Sequence, residues 1–311
     1  MKPLMLRLAV VLLAVALGLG LGAGPLQRSN SERDKQLAAQ KAQVTRKQHR
    51  IDALQSAAAF GDAFAAATGP ALIHNTLAGH SVALVTLPGA DASVVAKLRG
   101  DVEAAQGKIT AEIDLAQKMA GSSSRQLVEA LTSQMLQQTA GLTVPADAGG
   151  YQRFGALLAR ALGTGPKGQP DQAAYDTTAV SIVSGLQSAD LVTVKQPVSS
   201  RAGLVLVVTG REFATDAAAA ENAVPSTILQ AFGQQVPTVV VGPTGAAGSR
   251  GVIGALRGNA AASAAVSTVD SSETSMGQLT AILALAARAR GTVGQYGGVK
   301  AANGVVPGAK S

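Results

Sequence analysis

From Ser81 onward, short runs of Val, Leu and Ile bounded by Gly and Pro alternate with longer stretches of helical periodicity. Such runs are how strands buried on both faces read, and strands separated by helices pair in parallel because each crossover must carry the chain back across the sheet. The runs predict strands over 82–87, 109–113, 191–194, 204–209, 238–241 and 266–269. Helices are predicted over 92–105, 124–138, 151–162, 172–186, 217–232 and 273–290. The fold expected is α/β, a mainly parallel sheet flanked by helices and wound by right-handed crossovers.

The last helix carries two end signals. Asp270 with Glu273 three residues later reads as a capping box, and Gly291 beyond Arg288 and Arg290 reads as the stop.

The amino-terminal quarter follows other rules. Leu8 to Leu26 carries no charge and as a helix spans about 28 Å, close to a bilayer core. Lys2 and Arg7 precede it and Gly22, Ala23 and Gly24 close it, so a membrane anchor and a cleaved signal both fit, the anchor better by length. Gly18 and Gly22 have the spacing that lets two membrane helices approach, which admits a homodimer. The short positive leader places the main domain outside the cytoplasm, although Arg28, Arg33, Lys35 and Lys41 weigh the other way.

Beyond the anchor, Leu37, Val44 and Ile51 recur seven apart and Leu54 and Ala58 continue at three and four, the pattern of a short coiled coil. Polar Gln40 and Lys47 on the other seam positions weaken it. The sequence therefore divides into an anchor or signal at 1–28, a basic coiled-coil stalk at 29–68, an α/β domain at 69–297 and a flexible tail at 298–311.

Charge follows this division. Through Arg50 the chain has nine Lys and Arg against Glu32 and Asp34, leaving 26 − 9 = 17 basic and 19 − 2 = 17 acidic residues beyond. The net charge of +7 thus belongs to the membrane-proximal segment and implies no nucleic-acid surface on the domain. Arg28 to Arg50 reads either as a contact for anionic lipid headgroups or acidic wall polymer, or as a solvated helix face.

Little of the sequence writes chemistry. Cysteine is absent, which removes disulfides and thiolate sites. The three histidines, His49, His74 and His80, form no metal-binding spacing, and the five methionines form no cluster of the kind copper(I) prefers. His74 and His80 bracket the turn into the first strand, either as surface or hinge residues or as a pair near enough to serve a metal. The loop VVVGPTGAAGSRG has the glycines of a phosphate cradle but neither the Lys-Ser/Thr of a P-loop nor a dinucleotide fingerprint, so it reads as a permissive turn. No acid–base pair stands out, and the chain reads as a non-enzyme without a certain cofactor.

The order of features resembles the mycobacterial copper transport protein family, MctB, from the amino-terminal helix to about Gly297. The matching elements are GLGLGAGPL at the end of the anchor, Leu37 and Leu54 of the stalk, NTLAGHSVALVTLPGA from Asn75 and LVTVKQP from Leu191. AGLVLVVTG from Ala202, TVVVGP from Thr238, GVIGALRG from Gly251 and VGQYG from Val293 complete them. The resemblance implies a role in copper homeostasis at the cell envelope, where the family is described as a channel-like outer-membrane protein. Buried parallel strands cannot form a lipid-facing barrel, so a pore would require assembly of many chains. The alternative expectation is a membrane-anchored, non-catalytic scaffold binding cell-division or wall-remodelling partners through its coiled coil and α/β domain.

Overall fold

The computed structural model describes residues 25–120, 124–167, 170–215 and 223–308, with backbone alone at 25–32 and 120. The chain divides into two units, Met1–Phe60 and Gly61–Ser311. Almost all of the predicted span, Leu8 to Leu26, lies outside the described residues, as do Gly18 and Gly22. Among the described residues no helix is long and apolar enough to cross a membrane.

Helix α1 is one continuous stretch of 49 residues, Pro25–Ile73. In the first unit Leu37, Val44, Ile51 and Leu54 form an apolar stripe, 46–66% exposed. In the second unit the helix is held by side chains: the Asp62 carboxylate accepts the Ser275 N–H, and Ala65 and Ile73 are buried.

The second unit is mixed α/β. In chain order it contains β1 (Ser81–Thr86), α2 (Ala92–Ala104), β2 (Lys108–Leu115), α3 (Arg125–Gln137), α4 (Gly150–Leu162) and β3 (Gln172–Ala173). There follow α5 (Thr177–Ser188), β4 (Val192–Gln196), β5 (Arg201–Ala202), β6 (Leu204–Val208), α6 (Ala223–Gln235) and β7 (Thr238–Val241). Last come α7 (Val252–Gly258), α8 (Ala260–Ala265), β8 (Ser267–Val269), α9 (Ser275–Ala289) and β9 (Gln295–Tyr296). The main sheet has seven strands in the order β4-β2-β1-β6-β7-β8-β9. Every neighbouring pair is parallel except β2 with β4, so one antiparallel edge strand closes an otherwise parallel sheet.

Each central strand feeds both faces, because successive side chains point to opposite sides. Ala83, Val85, Val205, Val207 and Val240 join one core with Leu157, Leu158 and Phe232. Val82, Leu84, Leu204, Leu206, Val208, Val239 and Val241 join the other with Leu98, Ile282 and Leu285. Helices therefore cover both sides, α2 and α9 on one and α4 to α8 on the other. Each fully buried Val or Leu contributes about 1.5–3 kcal/mol, which explains why these runs contain almost nothing polar.

The expected strands all exist within two residues of their predicted ends, β2 and β4 each running two residues further at the carboxyl end. The predicted start of the helix at 217 lies outside the described residues, which show that helix over Ala223–Gln235, and two other helices begin elsewhere than expected. Residues 172–173 pair as β3, and the fourth predicted helix starts at Thr177, where the Asp176 carboxylate accepts the Ala179 N–H at 2.8 Å. The last helix begins at Ser275, not at a capping box of Asp270 and Glu273: Thr274 is the N-cap and accepts the Gly277 N–H at 3.1 Å.

Both displaced carboxylates have other partners. Asp270 is fully buried and paired with Arg257 at 2.9 Å, and it also accepts the N–H groups of Gly298 and Val299 at 2.8 and 3.2 Å. The predicted stop is found, since Arg290 is the C-cap and Gly291 adopts φ +84° beyond it. Of the predicted tail, the Gly298 and Val299 N–H groups are bound to Asp270, and the Asn303 N–H is bound to the Gln295 carbonyl at 3.0 Å.

Candidate functional site

His74 is exposed in the turn that follows α1, while His80 is partly buried immediately before β1. The His80 Nδ1 lies 2.8 Å from Asp171 Oδ1, a partner 91 residues away that sequence spacing could not reveal. Asp171 is itself held by its backbone: the Gly203 N–H donates to its carbonyl at 2.9 Å, and the Ser81 hydroxyl donates to the same oxygen. A carboxylate that accepts a proton from Nδ1 leaves the ring's lone pair on Nε2, a tautomer in which histidine can ligate a metal. Among the described residues no three His, Asp or Glu side chains converge as a ready metal cage.

Three of the methionines lie among the described residues. Met119 is buried, Met135 packs over Gly185, and Met276 is 49% exposed on α9.

A second feature arises from the winding of the sheet. From β1 the chain passes outward to β2, then returns to β6 on the other side of β1 and continues through β7 and β8. Loops leaving β1 and β6 therefore diverge, and a crevice opens beyond their carboxyl ends, the usual ligand position in open α/β sheets. The β1 loop makes a tight turn, with the Ala90 N–H donating to Leu87 at 3.1 Å and Gly89 at φ +82°. Gly210, after β6, presses against Gly89.

The crevice has an apolar lobe of about 530 Å³, lined chiefly by Leu115, Met119, Phe213, Val224, Ile228 and Val252. A charged lobe of about 1030 Å³ is lined by Asp91, Arg211, Glu212 and Glu273 among others. The Ser93 hydroxyl and N–H both donate to Asp91, which holds its carboxyl below the ordinary carboxylate value, and the Arg211 charge adds to the effect. Glu273 accepts the Thr244 N–H at 3.0 and 3.1 Å.

That last contact settles how the glycine-rich loop is used. Its first turn, Thr244–Ala247, is capped by the chain's own carboxylate, and Gly251 passes so close to the Ala246 carbonyl that a side chain there would collide. Gly242 and Gly251 serve close packing. The crevice itself escaped the sequence; its only local traces are the segments LPGAD and TGREF directly after two buried strands.

No curated protein matches the chain. Residues 4–307 match the family model described as copper transport outer membrane protein, MctB, and with nearly its whole length covered this chain belongs to that family.

Proposed function

We propose that this protein works in copper transport at the cell envelope as a membrane-anchored, non-catalytic chain that meets the metal directly at His80. The observation that carries the reading is the family match over residues 4–307. The His80–Asp171 pair supports His80 as the contact, since a carboxylate on Nδ1 is the partner that orients a metal-ligating histidine. His74, exposed in the same turn region, is the second histidine available to the ion.

The uncharged run from Leu8 to Leu26 supports a single-pass anchor, and the positive leader supports an extracytoplasmic domain. The exposed stripe of Leu37, Val44, Ile51 and Leu54 supports a coiled-coil homodimer, and the basic residues from Arg28 to Arg50 would then lie against anionic lipid headgroups or wall polymer.

The test is copper titration of the purified full-length chain in detergent micelles, followed by calorimetry. Saturable binding weakened at least tenfold by His80→Ala, and less by His74→Ala, is the expected result. Binding that survives both substitutions would move the metal away from this turn, and no binding at all would make the copper role indirect.

A further inference from the structure

The two lobes beyond β1 and β6 share Pro88, Gln117, Thr209, Gly210, Arg211 and Phe213, so the apolar pocket and the charged cleft open onto one another. The apolar lobe's volume of about 530 Å³ includes the solvent at its open mouth, and the enclosed part is small, on the scale of one side chain and not of a whole ligand. The site stands at the carboxyl end of β1, whereas His80 precedes its amino end, so its ligand goes beyond copper and does not depend on it.

The charges at the mouth restrict what can enter. Glu212 faces Arg250 at 3.7 Å, which leaves the carboxylates of Asp91 and Glu273 with the guanidinium of Arg211 in one cleft. Arg211 is exposed and makes no hydrogen bond or ion pair among the described residues. Asp91 is fixed by Ser93 and Glu273 by Thr244, so each carboxylate is oriented by backbone yet keeps acceptor capacity.

A phosphate group fits poorly here. Its natural seats are the start of α2 and the turn at Thr244, and both already hold carboxylates of this chain. A purely apolar ligand would leave three charged groups unused at the entrance, and a simple cation or anion would use one sign of charge alone.

The geometry points to a small zwitterion with an apolar side chain, a free apolar α-amino acid, as the ligand of this crevice. Its carboxylate meets Arg211, its ammonium meets Asp91 and Glu273, and its side chain enters the pocket formed by Leu115, Met119, Phe213, Val224 and Ile228. A peptide residue keeps one of the two charges at a chain end and neither at an internal position, so the free amino acid satisfies the mouth better.

The experiment is isothermal titration calorimetry of the full-length protein in detergent micelles with L-leucine, L-methionine and L-phenylalanine. Two leucine analogues accompany them: 4-methylpentanoate, which lacks the ammonium, and 3-methylbutylamine, which lacks the carboxylate. The expected result is saturable binding of at least one amino acid with a Kd of about 1 mM or tighter. Arg211→Ala and Asp91→Asn should each weaken it at least tenfold, and Lys97→Ala, in the second turn of α2 and paired with Asp101, should leave it unchanged. Asp91→Asn keeps a capping side chain, so a loss there is not a loss of the helix. Absence of saturable heat with all three amino acids overturns the proposal. So does binding of either analogue as tight as that of leucine, or competition by inorganic phosphate, which would make the mouth an anion site.

Discussion

Gly210 lies so close to Gly89 that a Cβ built on it would stand 2.6 Å from the Gly89 carbonyl carbon and oxygen. The loops leaving the two strands at which the sheet reverses direction therefore touch backbone to backbone, and this contact floors the crevice. Gly89 cannot easily yield, because its φ of +82° is a conformation that side-chain-bearing residues avoid.

Gly210→Ala is accordingly expected to destabilise the protein by about 1–3 kcal/mol, the usual cost of overpacking. Gly100→Ala, in α2 with nothing near its Cβ, should instead stabilise by up to about 1 kcal/mol through helix propensity. Urea unfolding followed by circular dichroism distinguishes the two. Equal midpoints for both variants would show that the loops separate without cost.

The Arg257–Asp270 pair gives a second prediction. Asp270 is wholly buried, Arg257 is 8% exposed, and the guanidinium also donates to Thr268 and to the carbonyls of Tyr296 and Val299. Arg257→Ala leaves a buried carboxylate without its cation, expected to cost about 3–5 kcal/mol. Protease sensitivity near Gly298 should rise with it, since Asp270 also holds that backbone. A loss below about 1 kcal/mol would mean that water enters and solvates Asp270.

Acid should weaken the protein partly through Asp176. Burial raises its pKa, but the Ala179 N–H and the charges of Arg160 and Arg201 outweigh burial and leave it lowered. A depressed folded-state value contributes stability above the unfolded value and loses it as pH falls through the folded one, here below about pH 4. Asp176→Asn should flatten the fall in thermal midpoint over that acid range and leave the slope near neutrality unchanged. An identical acid slope in the variant would assign the effect to other carboxylates.

For the stalk, Val44→Asp together with Ile51→Asp should abolish a coiled-coil dimer. Both residues are exposed in the single chain, so the domain's own stability should shift by less than about 0.5 kcal/mol. Sedimentation velocity reads the association. A chain that is already monomeric, or that stays dimeric with both aspartates, would remove the stripe as the dimer contact.

Strands were legible in the sequence because burial on both faces writes itself locally. LVLVV at 204–208 has a residue for each core in alternation, and no polar residue interrupts it. Helix ends were legible where the partner is a neighbour, as at Gly291, and illegible where a distant group competes. Asp270 has the spacing of a cap, yet Arg257, Gly298 and Val299 claim its oxygens, and Thr274 takes over the end of the helix.

Sites followed the same division. His80 could be singled out in the sequence, but its partner Asp171 stands 91 residues on and becomes adjacent through the β3–β5 pairing and the bonds of its carbonyl to Ser81 and Gly203. The crevice depends on the order in which strands enter the sheet, and that order is invisible to local periodicity. The sequence by itself determined the α/β class, the two buried faces and the family, because each is carried by short-range pattern or by residues in fixed order. The tertiary structure alone decided which carboxylates are spent on pairing, which cap helices and which remain at the mouth of the crevice. Those choices rest on contacts between residues far apart in the chain, and only the packed sheet brings them within hydrogen-bonding distance.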